Sequence, residues 1–225
     1  MSDVPAWLQP LLDTVPTVAA ETLSRFLPPE EGGRESAVLV LFGEGPEGPD
    51  LLFIERSSDM RNHAGQPAFP GGVCDPDDAD AAATALREAV EETGLDPAGV
   101  DILYSLPALW LPPSGYVVTP VLAWWREPSA VTPVDAAEVA AVERIPVADL
   151  ADPANRFRVG HPNGWIGPAF GVRDLVIWGF TAGLVDRLLD LGGFARPWDT
   201  DDVRELPELA RRLAARTRPR PGGGS

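Results

Sequence analysis

The sequence predicts one domain in which helices and strands pack as an α/β or α+β sandwich. Its 225 residues, 44% of them hydrophobic, are enough to bury a sizeable core. Short β-branched apolar runs indicate buried strands, whereas longer segments place apolar residues at helical spacing. Strands and helices mix along the chain without strict βαβ alternation, which is why both sandwich classes stay open at this point.

The order of elements follows from these patterns. The predicted strands cover residues 36–43, 51–57, 100–111, 116–125 and the first part of 138–150, with an irregular hairpin at 156–171. The predicted helices cover residues 16–27, 81–93, 173–192 and 202–218. The chain then divides into an N-terminal helical extension (1–35), a main domain (36–195), a C-terminal helix (196–218) and a tail predicted to be disordered (219–225).

The charge balance limits the partners. The formal net charge is −16, with 34 acidic residues against 18 basic ones, which argues against binding nucleic acid or an anionic membrane through a basic surface. A single cysteine, Cys74, allows no internal disulfide, and no secretory signal or membrane-spanning run is apparent. We therefore expect a cytoplasmic protein with a small-molecule ligand; a homodimer is left open.

The stretch "LREAVEETGL" (86–95) is the most informative part of the chain. On a helix, Glu88, Glu91 and Glu92 share one face, where like charges repel by roughly 0.2–0.5 kcal/mol per pair. A divalent cation over this face would remove the repulsion, and Mg²⁺ prefers carboxylate oxygens. Arg87 is spaced to pair with Glu91. The alternative is an ordinary solvated helix face.

The longer segment "GGVCDPDDADAAATALREAVEETGL" (71–95) resembles the Nudix box. The second half of that motif is matched throughout, by Arg87, Glu88, Ala89, Glu91, Glu92, Gly94 and Leu95. The first half departs from it, because the usual box has a glutamate eight residues before the arginine, where this chain has Ala79. The span from Gly72 to Arg87 is also one residue longer, and Asp78 and Asp80 flank the gap as candidate substitutes.

The loop before this box resembles an additional signature of the coenzyme A pyrophosphatase branch of the Nudix family. In "ERSSDMRNHAGQPAFPGG" (55–72), the matching residues are Arg56, Ser57, Arg61, His63, Gly65 and Gln66. Pro67 replaces the aliphatic residue that is usual in that branch. The resemblance spans roughly residues 36–190 and implies an α/β/α sandwich with a central mixed β-sheet as the Nudix hydrolase domain.

The resemblance also implies a reaction, in which the diphosphate of coenzyme A or a derivative is hydrolysed to 4′-phosphopantetheine and 3′,5′-ADP with Mg²⁺ or Mn²⁺. It implies as metal ligands Glu88, Glu91, Glu92 and the Gly72 carbonyl. The catalytic residues that it implies are Glu88, Glu91, Arg87 and a downstream acid. Glu138 is the candidate for that acid, and Asp135 is the reserve. It implies as substrate-binding residues Arg56, Arg61, His63, Ser57 and Gln66.

Two other functions compete with this interpretation. A Nudix hydrolase of ADP-ribose, NADH or a dinucleoside polyphosphate would have the same metal helix, since all these substrates contain a diphosphate. A catalytically silent Nudix-fold binding module would usually lack a glutamate of the helix, whereas this chain keeps all three. The tryptophans of the predicted strands are expected in the core or an interface.

Overall fold

A computed structural model describes residues 4–57, 65–112, 114–160 and 164–206. The helices are α1 (Gln9–Thr14), α2 (Ala20–Leu23), α3 (Ala81–Thr93), α4 (Val147–Ala151) and α5 (Gly179–Leu191). The strands are β1 (Arg34–Gly45), β2 (Gly48–Arg56), β3 (Pro67–Ala68), β4 (Gly71–Val73), β5 (Val100–Ser105), β6 (Leu109–Leu111), β7 (Tyr116–Trp125), β8 (Val139–Pro146), β9 (Arg156–Gly160), β10 (Ile166–Val172), β11 (Leu175–Ile177) and β12 (Val203–Glu205).

Eight strands form the central sheet. Its main path runs β3-β2-β1-β7-β5, while β4 pairs with β1, β6 with β7 and β8 with β2. The pair β1–β7 is parallel, and the other pairs are antiparallel. The predicted central mixed sheet is therefore confirmed. Because β4 joins only the first part of β1, Gly71 and Gly72 come to lie beside Ala37 and Val38.

Side-chain alternation along β1 builds a core on each face of this sheet. Leu39 and Leu41 point towards α3, whose Ala85 and Ala89 are fully buried against them. Val40 and Phe42 point to the opposite face, into a larger cluster that includes residues of α1, α4 and α5. The layers are thus helix, sheet, helix, as the α/β/α prediction requires.

A second, four-stranded sheet completes the opposite layer. Its strand order is β11-β10-β9-β12, and Phe170 and Val172 of β10 join the larger core cluster. The predicted hairpin at 156–171 is confirmed by the antiparallel pairing of β9 with β10, although a separate sheet was not foreseen. Trp124 and Trp125 are buried, which confirms their predicted place in the core, and Trp178 packs on a third small cluster.

The N-terminal helix begins earlier than predicted and is interrupted. Instead of one helix over 16–27, α1 ends at Thr14, Val15–Thr17 form a 3₁₀ turn and α2 is a single turn. The cause is Pro16, which cannot donate a backbone hydrogen bond to the preceding turn. Leu11 and Val15 are buried in the larger core cluster, so the segment packs on the main domain.

Two further helix predictions are wrong at their starts. Residues 173–192 do not form one helix, because Arg173 adopts φ 56° in a turn that pairs β11 back on β10, and α5 begins only at Gly179. Val203–Glu205 form β12, where the predicted helix 202–218 would begin. The rest of that helix and the tail lie outside the described residues. No helix in the described parts is long and apolar enough to cross a membrane.

Candidate active site

The site forms where the Gly-Gly segment of β4 meets α3. The backbone N–H of Gly71 donates to Glu92 Oε2 at 2.9 Å, and Glu92 is only 7% exposed. A Cβ on Gly72 would overlap the Glu88 carboxyl, and one on Gly71 would overlap the Ala37 carbonyl. Both glycines are therefore needed for close approach: Gly72 lets the Glu88 carboxylate lie against β4, and Gly71 lets β4 approach β1.

Capping residues at both ends of α3 set its length. Asp80 caps the N-terminus, since its side chain accepts a hydrogen bond from the Ala83 N–H at 2.9 Å. Gly94 ends the helix with φ 68°, and its N–H donates to the Val90 carbonyl. The predicted C-terminal glycine is confirmed. Between these ends, Glu88 and Glu92 are one turn apart and both face β4.

Arg87 is the centre of a group of carboxylates. Its Nη1 donates to Glu88 Oε1 at 2.9 Å and to Glu91 Oε2 at 3.2 Å. Its Nε and Nη2 donate to the two oxygens of Asp78 at 3.1 and 2.9 Å, and Asp75 lies 3.7 Å away. Four carboxylates thus surround one guanidinium, which leaves a surplus of negative charge at this edge of the helix.

Asp78 takes the place of the glutamate that the usual box has where this chain has Ala79. Its carboxylate forms a bidentate pair with Arg87 and also accepts from Thr84 Oγ1 at 2.8 Å and from the Asp75 N–H at 2.9 Å. Of the two flanking residues, Asp78 is therefore the partner of Arg87, whereas Asp80 is the helix cap. Asp78 lies nine residues before Arg87 instead of eight, so the extra residue of this box falls between Asp78 and Arg87.

The environment shifts the pKa values of the carboxyl groups in opposite directions. Burial raises the pKa of Glu92 to about 7, opposed by the Gly71 hydrogen bond and the Arg56 charge and aided by the charges of Glu88 and Glu138. Burial also raises the pKa of Glu88, although Arg87 opposes it. Hydrogen bonds from Arg87 hold the pKa of Asp78 well below its usual range. The pKa values of the two carboxyls nearest β4 are thus raised, whereas that of Asp78 is lowered.

The donors at this edge fit a hard divalent cation by type and by charge. They are carboxylate oxygens and backbone carbonyls, which Mg²⁺ and Mn²⁺ prefer. In the parts of the chain described, however, no three acidic, histidine or cysteine side chains converge to hold a metal ion. Glu88 and Glu91 are bonded to Arg87 and Glu92 to Gly71, while Gly72 is paired with Ala37 in the β1–β4 ladder.

The predicted substrate loop is closed at its base beside this edge. The Arg56 N–H donates to the Gln66 carbonyl at 3.2 Å, and the Gly65 N–H donates to the Arg56 carbonyl at 2.7 Å. The Ser57 N–H donates to the Glu138 carbonyl at 2.8 Å. Arg56, Ser57 and Gln66 are therefore brought together, whereas Arg61 and His63 lie outside the described residues.

Glu138 comes close enough to Glu92 for its charge to raise the pKa of that group. The reserve candidate, Asp135, is exposed and bonds to its own turn. Residues 132–134 were missed by the sequence analysis: the N–H groups of Thr132 and Val134 donate to the carbonyls of Thr93 and Glu92 at 2.9 and 3.2 Å. Backbone bonds of this kind carry no side-chain signature, so the sequence offers no signal for them.

Comparison with known proteins agrees with this geometry. A family model described as the NUDIX domain matches residues 33–163. An uncharacterized Nudix hydrolase named NudL from Cronobacter sakazakii is 38% identical over 161 residues, which cover 69% of this chain and 81% of that protein. The NudL of Escherichia coli K12 is 35% identical over 179 residues, covering 77% and 86%.

One solved structure shows the same fold. A Nudix hydrolase from M. smegmatis, RenU, superimposes with a TM-score of 0.52 at 18% identity, covering 75% of this chain and 91% of that one. The NUDIX domain match and the relatives named Nudix hydrolase identify a hydrolase that acts on diphosphates, and the layered fold agrees with this class. The chain belongs to the Nudix hydrolase family, whose members generally use divalent metal ions such as Mg²⁺ or Mn²⁺.

Proposed function

We propose that this protein hydrolyses the diphosphate bond of coenzyme A or its derivatives, with Mg²⁺ or Mn²⁺, to give 4′-phosphopantetheine and 3′,5′-ADP. The observation that carries the proposal is the surplus of carboxylates around Arg87, next to the close approach of Glu88 to Gly72. An acidic edge of this kind repels a diphosphate unless divalent cations lie between the two.

We assign the metal to Glu88, Glu91, Glu92 and the Gly72 carbonyl, with Glu92 as the principal ligand. When bound, a divalent ion would screen the diphosphate charge and lower the pKa of a water molecule. Arg87 holds the Glu88 and Glu91 carboxylates on the same side of α3, and Asp78 holds Arg87. The bidentate pair matters because it fixes the plane of the guanidinium and so the direction of its remaining donors.

Glu138 is proposed as the base that accepts a proton from the attacking water. Such a group must be held within hydrogen-bond reach of that water. The location of Glu138 supports this role, since it lies between the end of β2 and Glu92 and its backbone is bonded to Ser57. Its hydrogen bonds to Asp135 and Ser57 use only the backbone N–H and carbonyl of Glu138.

Arg56, Ser57 and Gln66, with Arg61 and His63 of the same loop, are proposed to bind the phosphates of the substrate. Arg56 supports this assignment: its Nε is buried and has no hydrogen-bond partner within the described residues. A buried guanidinium nitrogen without a partner is unfavourable, and a phosphate oxygen would satisfy it. The preference for coenzyme A over other diphosphates rests on the match of residues 55–72 to the branch signature.

A substrate panel with Mg²⁺ and with Mn²⁺, read out by mass, tests the proposal. It includes coenzyme A, an acyl-coenzyme A, ADP-ribose, NADH, diadenosine polyphosphates and nucleoside triphosphates. We expect 4′-phosphopantetheine and 3′,5′-ADP from coenzyme A at the highest kcat/KM. Faster turnover of ADP-ribose, NADH or a dinucleoside polyphosphate would make that compound the assigned substrate instead of coenzyme A. No turnover of any compound would favour a binding module.

A further inference from the structure

The turn that carries Glu138 is bonded to both halves of the candidate site. Ahead of the turn, the Val134 N–H donates to the carbonyl of Glu92 at 3.2 Å. After it, the Glu138 carbonyl accepts from the Ser57 N–H at 2.8 Å, at the base of the substrate loop. Residues 134–138 therefore form a bridge from the end of the metal helix α3 to the start of that loop.

Asp135 organises this bridge. Its Oδ1 accepts a hydrogen bond from the Ala137 N–H at 2.8 Å. Its own carbonyl accepts from the N–H groups of Glu138 and Val139 at 3.0 and 2.9 Å. Because Val139 is 1% exposed and begins β8, the turn is anchored in the core on its far side. One aspartate thus closes the backbone immediately before Glu138.

We propose that Asp135 is a positioning residue for Glu138: the turn that it closes holds the Glu138 carboxylate beside Glu92 and the Arg56 end of β2. This inference rests on the proposed function, in which Glu138 is the base. Asp135 itself is exposed and touches no reacting atom, so it acts through Glu138 alone. It is therefore assigned a different role from the reserve catalytic acid that the sequence suggested.

A matched control exists elsewhere in the chain. Asp152 closes an equivalent turn, since its Oδ1 accepts from the Ala154 N–H at 2.9 Å and its carbonyl accepts from the Asn155 N–H at 3.0 Å. That turn lies between α4 and β9, in the layer that carries the second sheet. Asp152→Ala removes the same type of hydrogen bond far from Glu138 and should leave turnover unchanged.

The test compares Asp135→Ala, Asp135→Asn and Asp152→Ala. Asp135→Ala should lower kcat for coenzyme A about tenfold with KM nearly unchanged, because a small displacement of a catalytic group is costly. Asp135→Asn keeps an Oδ1 acceptor and should restore most of kcat. On a Glu138→Gln background, Asp135→Ala should cause no further loss; an independent loss there would overturn the assignment.

Hydrogen exchange provides a readout that does not depend on activity. Without metal or substrate, Asp135→Ala should speed exchange of the Ala137 and Glu138 amides about fivefold, as expected for losing one capping-type hydrogen bond. Unchanged exchange would refute the structural part of the proposal. If exchange changes but the wild-type protein hydrolyses no compound of the panel, the proposed function fails instead. If Glu138→Gln turns over normally, Glu138 is not the base and Asp135 positions nothing catalytic.

Discussion

Two arginine–carboxylate clusters in this molecule differ in their charge balance and in their exposure to solvent. Arg87 is partly exposed and is surrounded by four carboxylates, of Asp75, Asp78, Glu88 and Glu91. Arg156, at the start of β9, is 3% exposed and pairs with one carboxylate, that of Asp186 on α5. The rings of Phe170 and Trp198 flank its guanidinium, 5.4 and 4.6 Å from the ring centroids.

The difference separates a cluster that holds the fold from one that we propose serves the reaction. The Arg156 cluster is balanced in charge and enclosed by apolar and aromatic groups, so it joins the second sheet to α5, while its buried Nε and Nη1 have no hydrogen-bond partner within the described residues. The Arg87 cluster keeps uncompensated negative charge at an accessible helix edge. Charge that the protein leaves uncompensated indicates a cationic ligand, whereas compensated charge indicates packing.

Replacing Glu92 should have the largest effect on function. Glu92→Gln keeps the acceptor for the Gly71 N–H but removes the charge, so we expect metal-dependent turnover of coenzyme A to fall roughly 10³-fold. Circular dichroism and the melting temperature should stay close to those of the wild type. Near-normal turnover would show that Glu92 is not part of the site.

The converse change affects the balanced cluster. Asp186→Ala leaves the Arg156 guanidinium buried without its carboxylate, which should lower the free energy of unfolding by about 3 kcal/mol or more. Denaturant melts measure this loss, and kcat of the folded protein should be unchanged at low temperature. A drop in kcat without a loss of stability would show that the two clusters are not separate in function.

The pH dependence of stability should further distinguish the candidate site from the Arg156 cluster. A carboxyl whose pKa is raised on folding, from 4.5 to about 7 for Glu92, binds more protons in the folded state. Its contribution to stability is therefore complete below pH 4.5 and is lost as the pH rises to about 7, by roughly 3 kcal/mol at most. Melts in chelator should show this fall in the wild type and not in Glu92→Gln; equal slopes would contradict the raised pKa.

Asp78 should have a smaller and mainly catalytic effect. Asp78→Asn weakens the bidentate pair with Arg87, and loss of such a supporting contact typically costs about 10-fold or more in activity. Since the pKa of Asp78 is lowered on folding, its contribution to stability is present at neutral pH and is lost in acid. Asp80→Asn, which keeps the helix cap, is the matched control and should retain activity.

Much of the site was predictable because it lies within one short helix. The spacing of Glu88, Glu91 and Glu92 fixes their shared face, and Arg87 four residues before Glu91 predicts their ion pair, which the structure contains. The strands were predictable from apolar runs, and the central mixed sheet from the resemblance to the Nudix family. Asp78 and Asp80 were both candidates for the missing glutamate, and the sequence did not decide between them, because the backbone conformation determines which aspartate reaches Arg87.

The errors have a common cause in turns. Arg173 at φ 56° converts a helical pattern into a hairpin, and Pro16 divides the N-terminal helix. The first outcome depends on one backbone angle and the second on a missing backbone N–H, and hydrophobic periodicity is insensitive to both. The bridge of residues 134–138 also escaped prediction, since backbone hydrogen bonds join it to α3 and to Ser57, which are distant in sequence.

Binding of Mn²⁺ measured by electron paramagnetic resonance tests most directly whether the surplus carboxylates form the metal site. The wild-type protein should remove free Mn²⁺ from solution without any substrate, and Asp186→Ala should do so equally at a temperature where it is folded. The variant with both Glu88→Gln and Glu92→Gln should leave the free Mn²⁺ signal nearly unchanged. Equal Mn²⁺ binding by that double variant would contradict the assignment of the site to the α3 edge.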